Sequence, residues 1–211
     1  MRITKFGHAC VRLEAGGHVV VIDPGGWSSP EAVDGAHVVL ITHEHGDHYD
    51  PDNLRASDAA IFTIEAVAAQ IRAGAPDLAE RVTVVSAGQT FGDALNVRVV
   101  GELHAVIHPE YDRFANSGYV VTAGDTSIYH PGDALTLPGE AVDILCAPVS
   151  APWLKASEAI DFAREVGAPR NLAIHDGIYS ERGLATIDTH LGRFLSAAGQ
   201  DYRRIPEGTD F

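Results

Sequence analysis

The sequence has few of the features that would commit a chain to secretion, to membranes or to nucleic acid. Of its 211 residues only 2 are cysteine, Cys10 and Cys146, far apart and each inside an apolar run. A disulfide framework is excluded, and both thiols are expected to be reduced and buried, as in a cytoplasmic protein. No apolar run approaches the ~20 residues of a membrane span. The opening stretch moves straight into strand-like sequence, without the apolar centre of a signal peptide. Positive charge is scarce: 15 Lys+Arg stand against 29 Asp+Glu, a net charge of −14. Such a surface repels phosphate backbones and anionic membranes at long range and attracts cations. Low-complexity tracts and linkers are missing, so one domain over residues 1–211 is expected. A hydrophobic content of 45% is ample for a packed core without help from a structural metal.

The residues that are present alternate as strands do. Arg2–Phe6 and Cys10–Ala15 alternate, Gly16-Gly17 makes a turn, and His18–Ile22 is β-branched up to Asp23-Pro24-Gly25-Gly26. Val38–Ile41 is short and wholly apolar, which predicts a buried strand. Ala59–Phe62 reads as a strand, and Thr63 is expected to cap a helix running to about Ala73. Val82–Val85, Gln89–Phe91, Asn96–Gly101, Gly118–Ala123 and Thr126–Tyr129 read as strands between glycine turns. Asp143–Ala147, Asn171–Ile174 and Asp201–Ile205 are further strands, interleaved with helices over Ser157–Val166 and Gly183–Ala198. The two halves echo each other: His18–Gly25 and Thr126–Asp133 are both strands that end in a polar residue before Pro-Gly. The pattern suits two sheets packed face to face with helices outside.

The chemistry concentrates in Ile41-Thr42-His43-Glu44-His45-Gly46-Asp47-His48. Three His and one Asp fall within six residues at the end of a buried strand. In extended chain, residues i and i+2 point the same way, so His43 and His45 can grip one cation together, with Glu44 turned away. Gly46 permits a bend that swings Asp47 and His48 to a neighbouring position. Imidazoles with a carboxylate suit Zn²⁺ best, with Mn²⁺ or Fe²⁺ as alternatives.

This segment resembles the His-x-His-x-Asp-His signature of the metallo-β-lactamase superfamily. The resemblance extends over nearly the whole chain through Phe6-Gly7-His8-Ala9, Val21-Ile22-Asp23-Pro24-Gly25, Gly101-Glu102-Leu103-His104-Ala105, Asn116-Ser117-Gly118-Tyr119, Tyr129-His130-Pro131-Gly132-Asp133 and Ile174-His175-Asp176. It looks most like the short single-domain branch of metal-dependent hydrolases related to the ascorbate-phosphate lactonases. The implied fold is α+β, a four-layer αβ/βα sandwich of two mixed sheets with the metals at one edge. The implied cofactors are two divalent ions. His43, His45 and His104 would form one site, Asp47, His48 and His175 the other, with Asp133 bridging them. His108 competes with His104, which is preferred because it directly ends the apolar run before it. The Thr-Pro-Gly-His segment of glyoxalase II is absent, as are the extra domains of the nucleases and flavodiiron proteins of the superfamily.

The resemblance implies a hydrolase in which a water shared by the metals, acting as hydroxide, cleaves a small ester-like substrate. Lactones rank first, then phosphodiesters and thioesters, with Asp47 catalytic as well as ligating. A small-molecule substrate is the expected partner, with no nucleic acid or membrane; a homo-oligomer is compatible with the resemblance. Asp23 and His8 are candidates to support the ligands from behind, and His130, Tyr179 and Trp153 to touch substrate, with packing of the turn before Asp133 the alternative for His130. An iron-dependent sulfur dioxygenase using His43, His45 and His104 alone, and a non-catalytic metal-binding protein, are the competing readings.

Overall fold

The computed structural model describes residues 1–92 and 94–211. Its strands are β1 (Arg2–Lys5), β2 (Val11–Ala15), β3 (His18–Ile22), β4 (Val38–Ile41), β5 (Ala60–Thr63), β6 (Val82–Val84), β7 (Thr90–Phe91), β8 (Asn96–Val100), β9 (Gly118–Ala123), β10 (Thr126–His130), β11 (Ile144–Pro148), β12 (Arg170–Ile174), β13 (Asp201–Arg203) and β14 (Thr209–Asp210). The helices are α1 (Pro51–Arg55), α2 (Glu65–Gly74), α3 (Ala156–Val166) and α4 (Glu181–Ala197). The strands make two seven-stranded sheets, ordered β14-β1-β2-β3-β4-β5-β6 and β13-β12-β11-β10-β9-β8-β7. Both sheets are mixed, and both change direction at one strand. β3 is antiparallel to β2 and parallel to β4, while β10 is antiparallel to β9 and parallel to β11. The echo between the two halves of the sequence thus lies at equivalent places in the two sheets.

Side-chain alternation builds the four layers. Along β3 and β4, Val20, Ile22 and Leu40 enter the core between the sheets, while Val21, Val39 and Ile41 face outward onto a second cluster with Leu54, Val67 and Ile71 of α1 and α2. Along β12, Leu172 and Ile174 face inward and Ala173 faces outward, onto a cluster that holds Phe162 of α3 and Leu184, Ile187 and Leu191 of α4. The α+β architecture is that of an αβ/βα sandwich. Among the described residues no helix is long and apolar enough to cross a membrane.

Local details depart from the sequence reading at helix starts. Thr63 does not cap α2; it closes β5, and its hydroxyl donates to the Ile41 carbonyl at 2.9 Å. α3 begins at Ala156 rather than Ser157, because the Glu158 carboxylate accepts from the Lys155 N–H and closes the first turn there. α4 begins at Glu181, capped by Ser180, which places Gly183 inside the first turn. The short α1 was not anticipated, although Asp50 caps it by accepting from the Asp52 N–H at 2.8 Å and Pro51 opens it. β14 was missed because so short a strand carries no periodicity; it is held by its pairing with β1.

One hydrogen bond ties the sheets together directly above the site. Tyr119 of β9 is fully buried, and its hydroxyl donates across the sandwich to the Ile41 carbonyl at 2.9 Å. That carbonyl also accepts from Thr63, so removing the tyrosine hydroxyl leaves it satisfied. Tyr119→Phe should therefore lower unfolding free energy by only about 0.5–1.5 kcal/mol in urea titration. A loss of several kcal/mol would show that this bond does more than join two already complementary layers.

Candidate metal centre

Most groups of the site leave the sandwich at one edge, from the carboxyl ends of the parallel strands beside the two direction changes, joined by His8 after β1 and His104 after β8. Asp23 follows β3, Thr42–His48 follow β4, Asp133 follows β10, Ser150 follows β11 and His175 follows β12. That is where the topology of an open mixed sheet leaves a crevice. Among the described residues, the non-glycine residues with positive φ are His8 (34°), Asp23 (51°) and His175 (56°), all three at this edge. Backbone held in so sparsely populated a region is concentrated where it aims a functional side chain.

Two groups of donor atoms face each other here. His43, His45, His104 and Asp133 form one; His8, Asp47, His48 and His175 form the other; within each group the donors lie within 4.8 Å of one another. Asp133 joins the groups. Its Oδ2 is 3.4 Å from His104 Nε2, 4.0 Å from His43 Nε2 and 3.1 Å from His175 Nε2, and its Oδ1 is 3.1 Å from His48 Nε2. On the second side His175 Nε2 and His48 Nε2 stand 3.6 Å and 3.9 Å from Asp47 Oδ2. The sequence-expected set of His43, His45, Asp47, His48, His104, Asp133 and His175 is therefore gathered at one place. His108 is exposed, and its Nδ1 accepts from the Glu110 N–H instead.

The hydrogen bonds behind the imidazoles decide which nitrogen faces inward. Buried Asp23 accepts from the Thr42 N–H at 2.8 Å and the Thr42 hydroxyl at 2.7 Å, and it takes the Nδ1–H of His48 at 2.7 Å. The Thr42 hydroxyl, having given its proton to Asp23, accepts from His43 Nδ1 at 3.0 Å. His104 Nδ1 donates to the Ala105 carbonyl at 2.7 Å, and His175 Nδ1 to the Ser150 carbonyl. In each ring the far nitrogen is spoken for, so Nε2 is the atom that faces the common space. Nε2 of His48, His104 and His175 and Oδ1 of Asp133 are all buried without a hydrogen-bond partner. Orphaned buried donors and acceptors are costly and rare. Four that converge on one volume, all of types that ligate divalent metals, fit a metal centre.

His8 is arranged the opposite way. Its Nδ1 accepts from the Gly177 N–H at 3.0 Å, so its proton sits on Nε2 and is donated to Asp47 Oδ2 at 3.1 Å. It stands among the donor atoms as a support for Asp47, not as a further lone pair. Burial alone would raise the Asp47 pKa; the His8 hydrogen bond and the nearby His48 and His175 outweigh it and hold the carboxyl at about 2. Burial likewise works against ionised Asp133, but His48 and His175 hold it well below the usual carboxylate range. Burial and the neighbouring His48 push His43 well below its ordinary value, which keeps its lone pair free at neutral pH.

Three expected substrate contacts resolve differently. His130 is fully buried, with Nε2 on the Ala9 carbonyl at 2.8 Å and Nδ1 accepting from the Gly132 N–H at 3.1 Å. That expectation is corrected: with both nitrogens engaged and no exposed surface, the ring fixes the turn before Asp133. Trp153 lies in the site, where its indole N–H donates to Asp133 Oδ2 at 3.0 Å. Tyr179 is 39% exposed and packs beside Gly183 at the start of α4.

Other supports were not visible in the sequence. Gly25, read as a turn, is a close approach: a Cβ there would lie 2.0 Å from the Asp47 carbonyl oxygen. Asn116 accepts from the Asp133 N–H at 3.0 Å, and a side chain at Gly132 would strike Asn116 Oδ1. Arg113 Nε donates to the His104 carbonyl at 2.7 Å. Gly25 and Asn116 depend on partners far away in the chain, so no local pattern announces them. Glu44, expected to turn from the metals, lines a cavity beside His45.

His48 dictates a pH dependence. Burial opposes its charge, but Asp133 and Asp23 on either side outweigh burial and raise its pKa well above the ordinary value. The cation-free chain therefore keeps a proton on His48 at neutral pH, and an arriving cation must displace it. Zinc uptake at pH 7 should release protons, seen as a buffer-dependent heat in calorimetry, and affinity should rise with pH. Uptake without proton release would place the cation away from His48.

The comparisons agree with this geometry. The model of the Beta-lactamase superfamily domain matches residues 2–175. Protein Rv0786c of Mycobacterium tuberculosis is 39% identical over 98% of this chain and 97% of its own length. The UPF0173 metal-dependent hydrolase PAE2160 of Pyrobaculum aerophilum is 30% identical over 68% of each chain. A solved chain from Parabacteroides distasonis aligns at a TM-score of 0.75 with 26% identity, over 96% of this chain and 91% of that one. Igni18, a metallo hydrolase of Ignicoccus hospitalis, shares the fold at a TM-score of 0.75 with 18% identity, over 100% of this chain and 97% of that one. With its paired donor groups at the edge of an αβ/βα sandwich, the chain belongs to the metallo-β-lactamase superfamily, among its metal-dependent hydrolases.

Proposed function

We propose that this protein hydrolyses a small ester-like substrate, a lactone first and a phosphodiester or thioester next, with two divalent cations, Zn²⁺ before Mn²⁺ or Fe²⁺. The observation that carries the reading is the convergence of two donor groups on one shared carboxylate, Asp133. When bound, the two cations would polarise the substrate oxygen and lower the pKa of a water so that it can attack at neutral pH. His43, His45 and His104 would hold one, and Asp47, His48 and His175 the other.

The remaining work falls to this chain's own side chains. Asp47 is kept ionised and fixed by the His8 Nε2–H, so it is ready to orient the attacking water. Trp153 holds one oxygen of Asp133, and Asn116 holds its backbone, which preserves the spacing between the two donor groups. No serine or cysteine nucleophile is needed, and burial pushes the thiols of Cys10 and Cys146 upward, away from reactivity. An iron dioxygenase using only the first group would leave the ordered Asp47, His48 and His175 without a task. The acidic surface favours a small-molecule substrate over nucleic acid, and the two free buried cysteines support a cytoplasmic setting.

The test is a hydrolysis screen of zinc- and manganese-loaded protein against a lactone, a phosphodiester, a thioester and a β-lactam. We expect turnover of the lactone or another ester, reduced about 10²–10⁴-fold in Asp47→Ala. Silence across the panel, in protein shown to hold metal, would contradict the hydrolase reading and favour iron redox chemistry or metal binding alone.

A further inference from the structure

The chain between His104 and Ala115 makes an excursion over the metal centre. Its base is closed by the bridge between Leu103 and Ala115 and by the His104 N–H on the Phe114 carbonyl at 3.0 Å. That closure presses the Phe114 ring against the ligand His45, centroid to centroid 4.6 Å. A cavity of about 620 Å³ opens there, walled by Ile107, Tyr111 and Phe114 and reaching His45 directly. The same three side chains, with Val106 and Pro109, wall a neighbouring cavity of about 390 Å³. Tyr111 is 66% exposed and Val106 50%, an unusual display of apolar surface in a chain of net charge −14.

The polar groups at this mouth bear the wrong sign for an anion. Glu44 and Asp112 line the larger cavity, and Glu44 Oε2 is buried without a hydrogen-bond partner. Arg113 is turned to the His104 carbonyl through Nε. A phosphate or carboxylate arriving here would meet two carboxylates against one guanidinium, whose Nε is held by the His104 carbonyl.

We infer that the Ile107–Tyr111–Phe114 wall binds the uncharged apolar part of the substrate, an acyl chain or aryl ring, while the bond to be cleaved lies over the metals. This rests on the hydrolase reading and deepens it: the substrate class is an apolar ester or lactone rather than a sugar phosphate. Occupation of the wall by a second copy of the chain is the alternative the experiment must separate.

Calorimetric titration of zinc-loaded protein with acetohydroxamate and octanohydroxamate tests the wall without turnover. Both carry the same metal-binding head and differ in apolar length. Octanohydroxamate should bind at least about tenfold tighter, since each methylene moved from water onto apolar surface adds to affinity. The ratio should collapse to about twofold in the Tyr111→Ala/Phe114→Ala double variant and persist in Val84→Ala, an exposed apolar position on β6. Equal affinities, no binding of octanohydroxamate, or a ratio that survives the double substitution would overturn the inference. So would a dimer in sedimentation velocity that the double variant abolishes and octanohydroxamate does not affect. If the chain-length ratio holds but no ester or lactone is turned over, the hydrolase reading fails and the apolar wall stands.

Discussion

The fold's edge is organised around one buried carboxylate. Asp133 is 3% exposed and lies at ion-pair distance from imidazoles of both donor groups. In so poorly solvated a place an ionised carboxylate is tolerable only against positive charge. Without a cation, a positively charged His48 ring lying between Asp133 and Asp23 supplies it. The same carboxylate lies between the two donor groups that would hold cations. The surrounding network of Asp23, Thr42, Ser150, Asn116 and Trp153 serves to keep that carboxylate and its facing nitrogens in place.

The sandwich makes this arrangement possible because its two sheets change strand direction at matching positions. β3 and β10 each have an antiparallel neighbour on one side and a parallel one on the other. The parallel strands deliver their carboxyl ends to a single edge, where Asp23, His43, Asp133 and His175 emerge within reach of each other. The price is strain, visible as positive φ at His8, Asp23 and His175. It is sustained by the packed layers behind, in which Leu40, Tyr119 and Ile174 fix the strand ends from the core side.

Much of this was legible in the sequence, and what was legible follows from distance along the chain. His43 and His45 share a side because they sit two residues apart in extended chain, and the strand before them reads as buried from its apolar run. Asp133 and His175 were reached only through the family resemblance, since nothing local in Pro131-Gly132-Asp133 or Ile174-His175 states which strand lies beside which. The hydrogen bond from Trp153 to Asp133 and the close approach at Gly25 join segments whose adjacency is set by sheet order. For His130 the sequence leaves substrate contact and turn packing both open, and the Ala9 carbonyl, from a distant segment, decides for the turn. Helix starts slipped by one or two residues where a strand claimed the cap, as at Thr63, or where Glu158 closed the turn earlier.

If Asp133 joins two neighbouring cation sites into one centre, removing it must empty both. Zinc content after equilibrium dialysis of the wild type, set beside Asp133→Ala, addresses it most directly. About two zinc ions per wild-type chain are expected, and the loss of both, not one, on removing the shared carboxylate. One zinc per chain in the wild type, or two retained in Asp133→Ala, would contradict it.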